Sequence, residues 1–272
     1  MGSREELSDK FSPLSIASPD EDRYDMGGKR KALMMCVRKN REGAEQDVAM
    51  MRRLFLNNKF QFHCAEGSDP TAEEILKTVK NFRDEINNSK ENISCCFVIT
   101  ASHGDLGAIY GSDSERVELN SIFKLFRNDQ CPKLQSKPKV FIIQACRGTQ
   151  RDLGVNRNAA PCYDSRGPSL SPFKPVVVHD MLTVYAQQPG YVAFRSTRAG
   201  SLLFQEMEGV FKEYAGSCHL FDLFTKVNQK LVQLNIRVLK KGAETKKKDD
   251  YEAAKETLLI ESTLKKLLYL NS

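Results

Sequence analysis

Tryptophan is absent from this 272-residue chain and histidine occurs only four times. Any imidazole base or ligand must therefore come from His63, His103, His179 or His219. Long apolar runs are missing too. The longest, residues 95–99 and 140–143, are strand-length, far short of the ~20 residues a membrane helix needs, so no membrane partner is expected. The opening MGSREELSDK lacks the apolar core of a signal peptide, and Glu6 stands where a myristoylation start requires Ser or Thr. Cysteine is present but sparse: eight in the chain, with Cys95 and Cys96 adjacent, a poor basis for a disulfide scaffold. None shows C-x-x-C spacing, so neither a metal site nor a cofactor is expected. This usage points to a reducing compartment, the cytoplasm and also the nucleus. Charge of one sign is scarce as well. The excess of 41 basic over 35 acidic residues is small and dispersed, which argues against nucleic acid. The lysine-rich run at 240–248 reads as a solvated connection.

Residues 1–28 contain too few periodic apolar positions to bury and read as a short flexible leader, too short for a death-fold adaptor domain. Residues 32–37 form a compact apolar run suited to a buried parallel strand. Residues 43–57 place Val48, Met51, Leu54 and Phe55 on one helical face. Strand 59–64 follows. Asp69 as cap and Pro70 in the first turn predict a helix with a stripe of Ile75, Leu76, Val79 and Phe82. Strands are expected at 94–100 and 139–144, with a short helix at 119–126 between them. From Gly148 to about Pro175 the pattern dissolves into Gly, Pro, Asn and Ser, a long mobile loop. Strand-like segments at 181–185 and 191–194, helices at 202–214 and 220–234, and a closing strand over 262–270 complete the chain. The alternation predicts an α/β fold, a mostly parallel sheet with helices on both faces.

Reactive groups in such sheets gather at the carboxyl ends of strands. Two strands here run into chemically loaded loops, Ser102-His103-Gly104 and Ala145-Cys146-Arg147-Gly148. The pairing makes Cys146 a candidate nucleophile and His103 its base. The backbone N–H groups of Gly104 and Cys146 are candidates for an oxyanion hole. The other three histidines lack a neighbouring glycine at a strand's carboxyl end, and a lone cysteine after a strand is most often a buried hydrophobe.

Gln144-Ala145-Cys146-Arg147-Gly148 matches the caspase signature, with its histidine motif upstream at 102–104. Further matches lie at Ile109-Tyr110-Gly111, Tyr24-Asp25-Met26, Arg41-Glu42-Gly43, Pro189-Gly190-Tyr191 and the closing STLKKLLYL. The chain resembles the caspase family of cysteine endopeptidases, in its short-leader form. The resemblance implies a three-layer sandwich around a six-stranded sheet, with a large-subunit part at 29–152, an intersubunit linker at 153–175 and a small-subunit part at 176–272. It implies Arg41, Gln144 and Arg195 as the pocket for a substrate aspartate, because guanidiniums bind carboxylates bidentately. Phe194 falls beside that pocket where many relatives carry tryptophan, and Leu202 falls where another tryptophan is common.

The resemblance further implies contact between Arg147 and Tyr185, processing at Asp164 with Asp180 structural, and a homodimer through the flat apolar edge of the last strand. The function implied is a zymogen, activated by linker processing and/or dimerisation, that cleaves proteins after aspartate in programmed cell death or terminal differentiation. The alternative is a catalytically silent or weak relative acting as a dimerising regulator or decoy, which the replaced tryptophans favour slightly.

Overall fold

A computed structural model describes residues 22–64, 69–153, 179–239 and 250–270. Along the chain these form β1 (Lys29–Cys36), α1 (Ala44–Asn57), β2 (Phe60–Cys64), α2 (Ala72–Asn88) and β3 (Ile93–Ala101). Three short strands follow, β4 (Gly104–Asp105), β5 (Ala108–Tyr110) and β6 (Arg116–Glu118), then α3 (Leu119–Lys124) and β7 (Lys139–Gln144). Beyond come β8 (Met181–Tyr185), β9 (Arg195–Ser196), β10 (Gly200–Ser201), α4 (Leu202–Tyr214) and α5 (Leu220–Gln233). The last elements are β11 (Ile236–Leu239), β12 (Tyr251–Ala254) and β13 (Leu259–Ser262).

Six strands make the central sheet in the order β13-β8-β7-β3-β1-β2. All neighbours are parallel except β13, which runs antiparallel to β8 along one edge. The expected mixed α/β architecture is present. Strand periodicity splits the core into two layers. Cys95, Phe97 and Ile99 of β3 join one apolar layer with α1, α4 and α5, while Cys96 and Val98 join the other with α2 and α3. Both faces are covered, so β3 is buried at every position. Phe97 anchors the first layer, edge-on to Phe55 at 5.3 Å and to Phe60 at 5.0 Å.

Several local expectations are corrected. Asp69 does not cap α2. Thr71 does: its hydroxyl accepts from Glu74 N, and the Glu74 carboxylate accepts from Thr71 N. The Asp69 carboxylate is used instead by Arg38 N, at 2.7 Å. Leu76 lies on the exposed side of α2, whose stripe continues through Ile86. The last strand ends at Ser262 rather than running to Leu270. The following segment turns back and buries Leu268 and Leu270, and the Leu268 carbonyl accepts from Leu220 N at the start of α5. LLYL therefore seals the core, and the open edge is β13 itself. Residues 191–194 form no ladder; they lie along residues 147–150 through a single parallel bridge, Gln150 to Tyr191. The hairpin of β11 and β12 flanks the lysine-rich run, which lies outside the described residues.

At the end of the segment expected as a leader, Tyr24 and Met26 are buried. The Tyr24 hydroxyl donates to Asp180 at 2.7 Å, and Lys265 approaches the same carboxylate at 3.3 Å. Asp180 itself sits in the left-handed region at φ 62°. It joins the first strand's approach to the closing segment.

Candidate active site

The site begins with the register of two parallel strands. β3 and β7 pair Ala101 with Gln144, so both end at the same level of the sheet. Ser102 N continues the ladder to the Gln144 carbonyl at 3.1 Å. His103 and Cys146 thus lie on neighbouring loops, as their spacing implied. Gly104 is required by this approach. A Cβ there would lie 2.7 Å from Ala145 Cβ and 2.9 Å from the Cys146 carbonyl oxygen. Gly148 is equally constrained, at φ 156° with a Cβ position 2.3 Å from the Gly190 carbonyl.

Cys146 and His103 make no hydrogen bond to each other. The thiol lies 3.9 Å from the Ala193 carbonyl, and the imidazole Nε2 lies 3.3 Å from the Lys39 carbonyl. Burial pushes the thiol pKa up from its ordinary value. The Ala193 hydrogen bond and the cations of Arg41 and Arg195 pull it down, and the carboxyl of Glu256 raises it further. His103 is exposed and borders an open cavity of about 260 Å³ with Val37, Lys39 and Tyr110.

The two arginines meet around a buried acid. Arg41 follows β1, and its guanidinium donates to the carbonyls of Val37 and Ala101 at 2.9 and 3.0 Å. Its other nitrogen lies 3.4 Å from the carboxylate of Asp47 on α1. Asp47 also accepts from Ser201 N at 2.6 Å and from the Ser201 hydroxyl at 2.7 Å. Ser201 of β10 pairs with Arg195 of β9, which brings the second guanidinium to the same place. Arg195 donates to the Glu42 carbonyl at 2.8 Å. Burial, then the positive charge of Arg41, lower its pKa, while Asp47 opposes both. Gln144 is buried beside them, and its side-chain oxygen has no hydrogen-bond partner. Arg41, in the loop after β1, and Arg195, on β9, both act on the thiol electrostatically, and Gln144 ends β7 two residues before it.

Asp47 went unnoticed in the sequence. Its signal was present: a carboxylate within a helix turn otherwise carrying Ala44, Val48 and Met51, all buried. Glu256 and Gln187 were missed as well. The Phe194 amide donates to Glu256 at 2.6 Å. Gln187 bridges the carbonyls of Val192 and Lys255. Neither residue stands in a periodic stripe that would mark it as buried.

Phe194 itself is partly exposed, and Leu202 opens α4 against the core layer. Arg147 stacks 3.9 Å above the Tyr185 ring, the contact the resemblance implied. His63 lies 3.9 Å from Glu85 and His219 lies 3.1 Å from Asp222, both outside this cluster. His179 is exposed ahead of β8. Asp164 lies outside the described residues. Among the described residues no group of three or more His, Cys, Asp or Glu side chains is arranged to hold a metal ion.

Residues 29–269 match the caspase domain across both sides of this site. The chain belongs to the caspase family. Similar proteins include caspase-14 of Homo sapiens, 35% identical over 255 residues that cover 93% of this chain and 98% of the relative. Caspase-14 of Mus musculus is 34% identical over 269 residues, or 95% and 99% of the two chains. Caspase-3 of Oryctolagus cuniculus is 33% identical over 192 residues, 71% of this caspase and 65% of that protein. This caspase therefore has peptidase kin along almost its whole length.

Proposed function

We propose that this caspase is a cysteine endopeptidase that hydrolyses peptide bonds after aspartate, with Cys146 as nucleophile and His103 as acid and base. The observation that carries the reading is the convergence at one sheet edge of a thiol, an imidazole and two guanidiniums. Arg41 and Arg195 surround the one carboxylate of Asp47, which leaves an uncompensated positive charge for one substrate carboxylate. Gln144 supplies a further polar contact, and Phe194 walls the adjoining subsite.

In the reaction, His103 takes the thiol proton as Cys146 sulfur bonds to the scissile carbonyl carbon. The oxyanion is held by the N–H groups of Gly104 and Cys146. His103 then returns the proton to the departing amine, leaving a thioester that water hydrolyses to acid and free thiol. The thiol faces the Ala193 carbonyl and is not hydrogen-bonded to His103, whose Nε2 lies against the Lys39 carbonyl and leaves Nδ1 to serve as the base once the thiol turns to it. That arrangement supports a zymogen activated by processing of the linker at Asp164 and/or by homodimerisation along the open edge of β13. The reading extends to protein substrates in the cytoplasm and nucleus, in cell death or terminal differentiation.

A second reading is a catalytically silent or weak regulator or decoy. It is favoured by the same unlinked dyad and by the burial that pushes the thiol up. Matched peptides carrying Asp, Glu or Asn before the cleaved bond separate the two. The protease reading expects at least a hundredfold preference for Asp over Asn, since an uncharged amide offers the guanidiniums neither the charge nor the two acceptor oxygens of a carboxylate. Equal, background turnover of all three would favour the silent reading.

A further inference from the structure

Glu256 is a fully buried carboxyl whose charge acts on the candidate nucleophile, and no step above uses it. It lies between β12 and β13 at 0% exposure. One oxygen accepts the Phe194 amide at 2.6 Å, and the other has no partner. The neighbouring residue, Ala193, offers the carbonyl that faces the Cys146 thiol. The same segment is laced to residues 255–257 by Gln187, whose amide nitrogen donates to Val192 and Lys255 carbonyls and whose oxygen accepts from Thr257 N. On its other side, residues 190–192 bond to residues 147–150. The backbone facing the thiol is thus held between the nucleophile's loop and one buried acid.

We propose that Glu256 is a positioning residue, whose carboxyl carries the Phe194 amide and through it sets both the Ala193 carbonyl against Cys146 and the substrate-facing segment at Phe194. The proposal rests on the protease reading for its meaning, but its central observable is the chemistry of the thiol.

A charge consequence follows. Burial pushes the Glu256 carboxyl up to about 8, opposed only in part by the hydrogen bond from the Phe194 amide. The ammonium of Lys255 is turned away, toward the Leu234 carbonyl and Asn235. Arg41 and Arg195 act on the thiol, opposing the carboxyl's effect there. Because the carboxyl ionises before the thiol, its negative charge resists formation of the thiolate. Near neutral pH, a mostly protonated Glu256 holds the amide without adding that charge.

The test is the pH profile of Cys146 alkylation by iodoacetamide, read on the Cys146 peptide by mass spectrometry, in full-length wild type, Glu256→Gln and Glu256→Ala. Glu256→Gln keeps an acceptor for Phe194 N and removes the charge. Its alkylation midpoint is expected to fall by about one pH unit, with KM for Asp peptides within twofold of wild type. Glu256→Ala loses the acceptor, and its KM is expected to rise about tenfold, a typical effect of displacing a substrate-positioning group. An unchanged midpoint in Glu256→Gln would overturn the coupling even if Glu256→Ala failed to fold. Equal KM in all three proteins would overturn the positioning role. Wild type that is alkylated at Cys146 yet cleaves nothing would refute the protease reading while leaving the midpoint comparison decisive.

Discussion

The Asp47 carboxylate lies 3.4 Å from the Arg41 guanidinium and accepts both the amide and the hydroxyl of Ser201, so one buried acid ties α1 to the turn after β1 and to the strand opposite Arg195. Burial pushes this carboxyl up while Ser201, Arg41 and Arg195 pull it down. Removing one member of a buried pair strands the other, at a cost of several kcal/mol. Arg41 keeps two carbonyl acceptors, which places Asp47→Ala near the low end, about 3 kcal/mol of unfolding free energy. Urea denaturation measures it. A loss under ~0.5 kcal/mol, the scale of an ordinary surface change, would mean that Asp47 does not tie these elements together.

Arg195→Lys tests the fork itself. Lysine keeps the charge but cannot present two parallel donors to a carboxylate. Turnover of an Asp peptide is expected to fall at least a hundredfold, about 2.7 kcal/mol of transition-state binding. Progress curves at limiting substrate give kcat/KM directly, and near-normal turnover would remove Arg195 from the pocket.

Glu256 makes stability depend on pH in a defined direction. Its carboxyl is raised from an ordinary value of 4.5 to about 8 in the folded chain. The unfolded chain therefore releases this proton first as pH rises, and the folded state loses stability through that interval. The contribution is complete below pH ~4.5 and is gone above about 8. Thermal melts between pH 5 and 8 should show Tm falling more steeply in wild type than in Glu256→Gln. Parallel curves would show that the group is already ionised when folded.

Phe97→Ala reports on the core beneath the site. The ring is fully buried between Phe55 and Phe60, so truncation removes apolar contact and leaves a cavity. The expected cost is about 3–5 kcal/mol by denaturant unfolding. A smaller loss would mean that the helices of that one layer close over the gap.

The buried parallel strands, the long helices and the neighbouring loops that carry His103 and Cys146 were readable because each depends on a short local pattern. Apolar runs such as residues 139–144 give β7 its full length, and the motifs at 102–104 and 144–148 stand on adjacent strand ends. What escaped depends on distant partners. Asp69 has the chemistry of a cap, but Thr71 with Glu74 makes two reciprocal bonds where Asp69 would make one. The LLYL segment has strand-like composition, yet its Leu268 carbonyl is taken by the start of α5, more than forty residues earlier in the chain. Asp47 and Glu256 look like surface charges until Ser201 and Phe194 are folded against them.

The central claim is that Cys146 is a nucleophile addressed by an aspartate-binding pocket. Its most direct test is labelling by an irreversible aspartyl ketone, in a dimer-promoting salt, of wild type, Cys146→Ala and Arg41→Ala. The account expects stoichiometric attachment to Cys146 in wild type, none in Cys146→Ala, and labelling slowed at least a hundredfold in Arg41→Ala. No attachment at Cys146 in wild type that is processed and dimeric would contradict it.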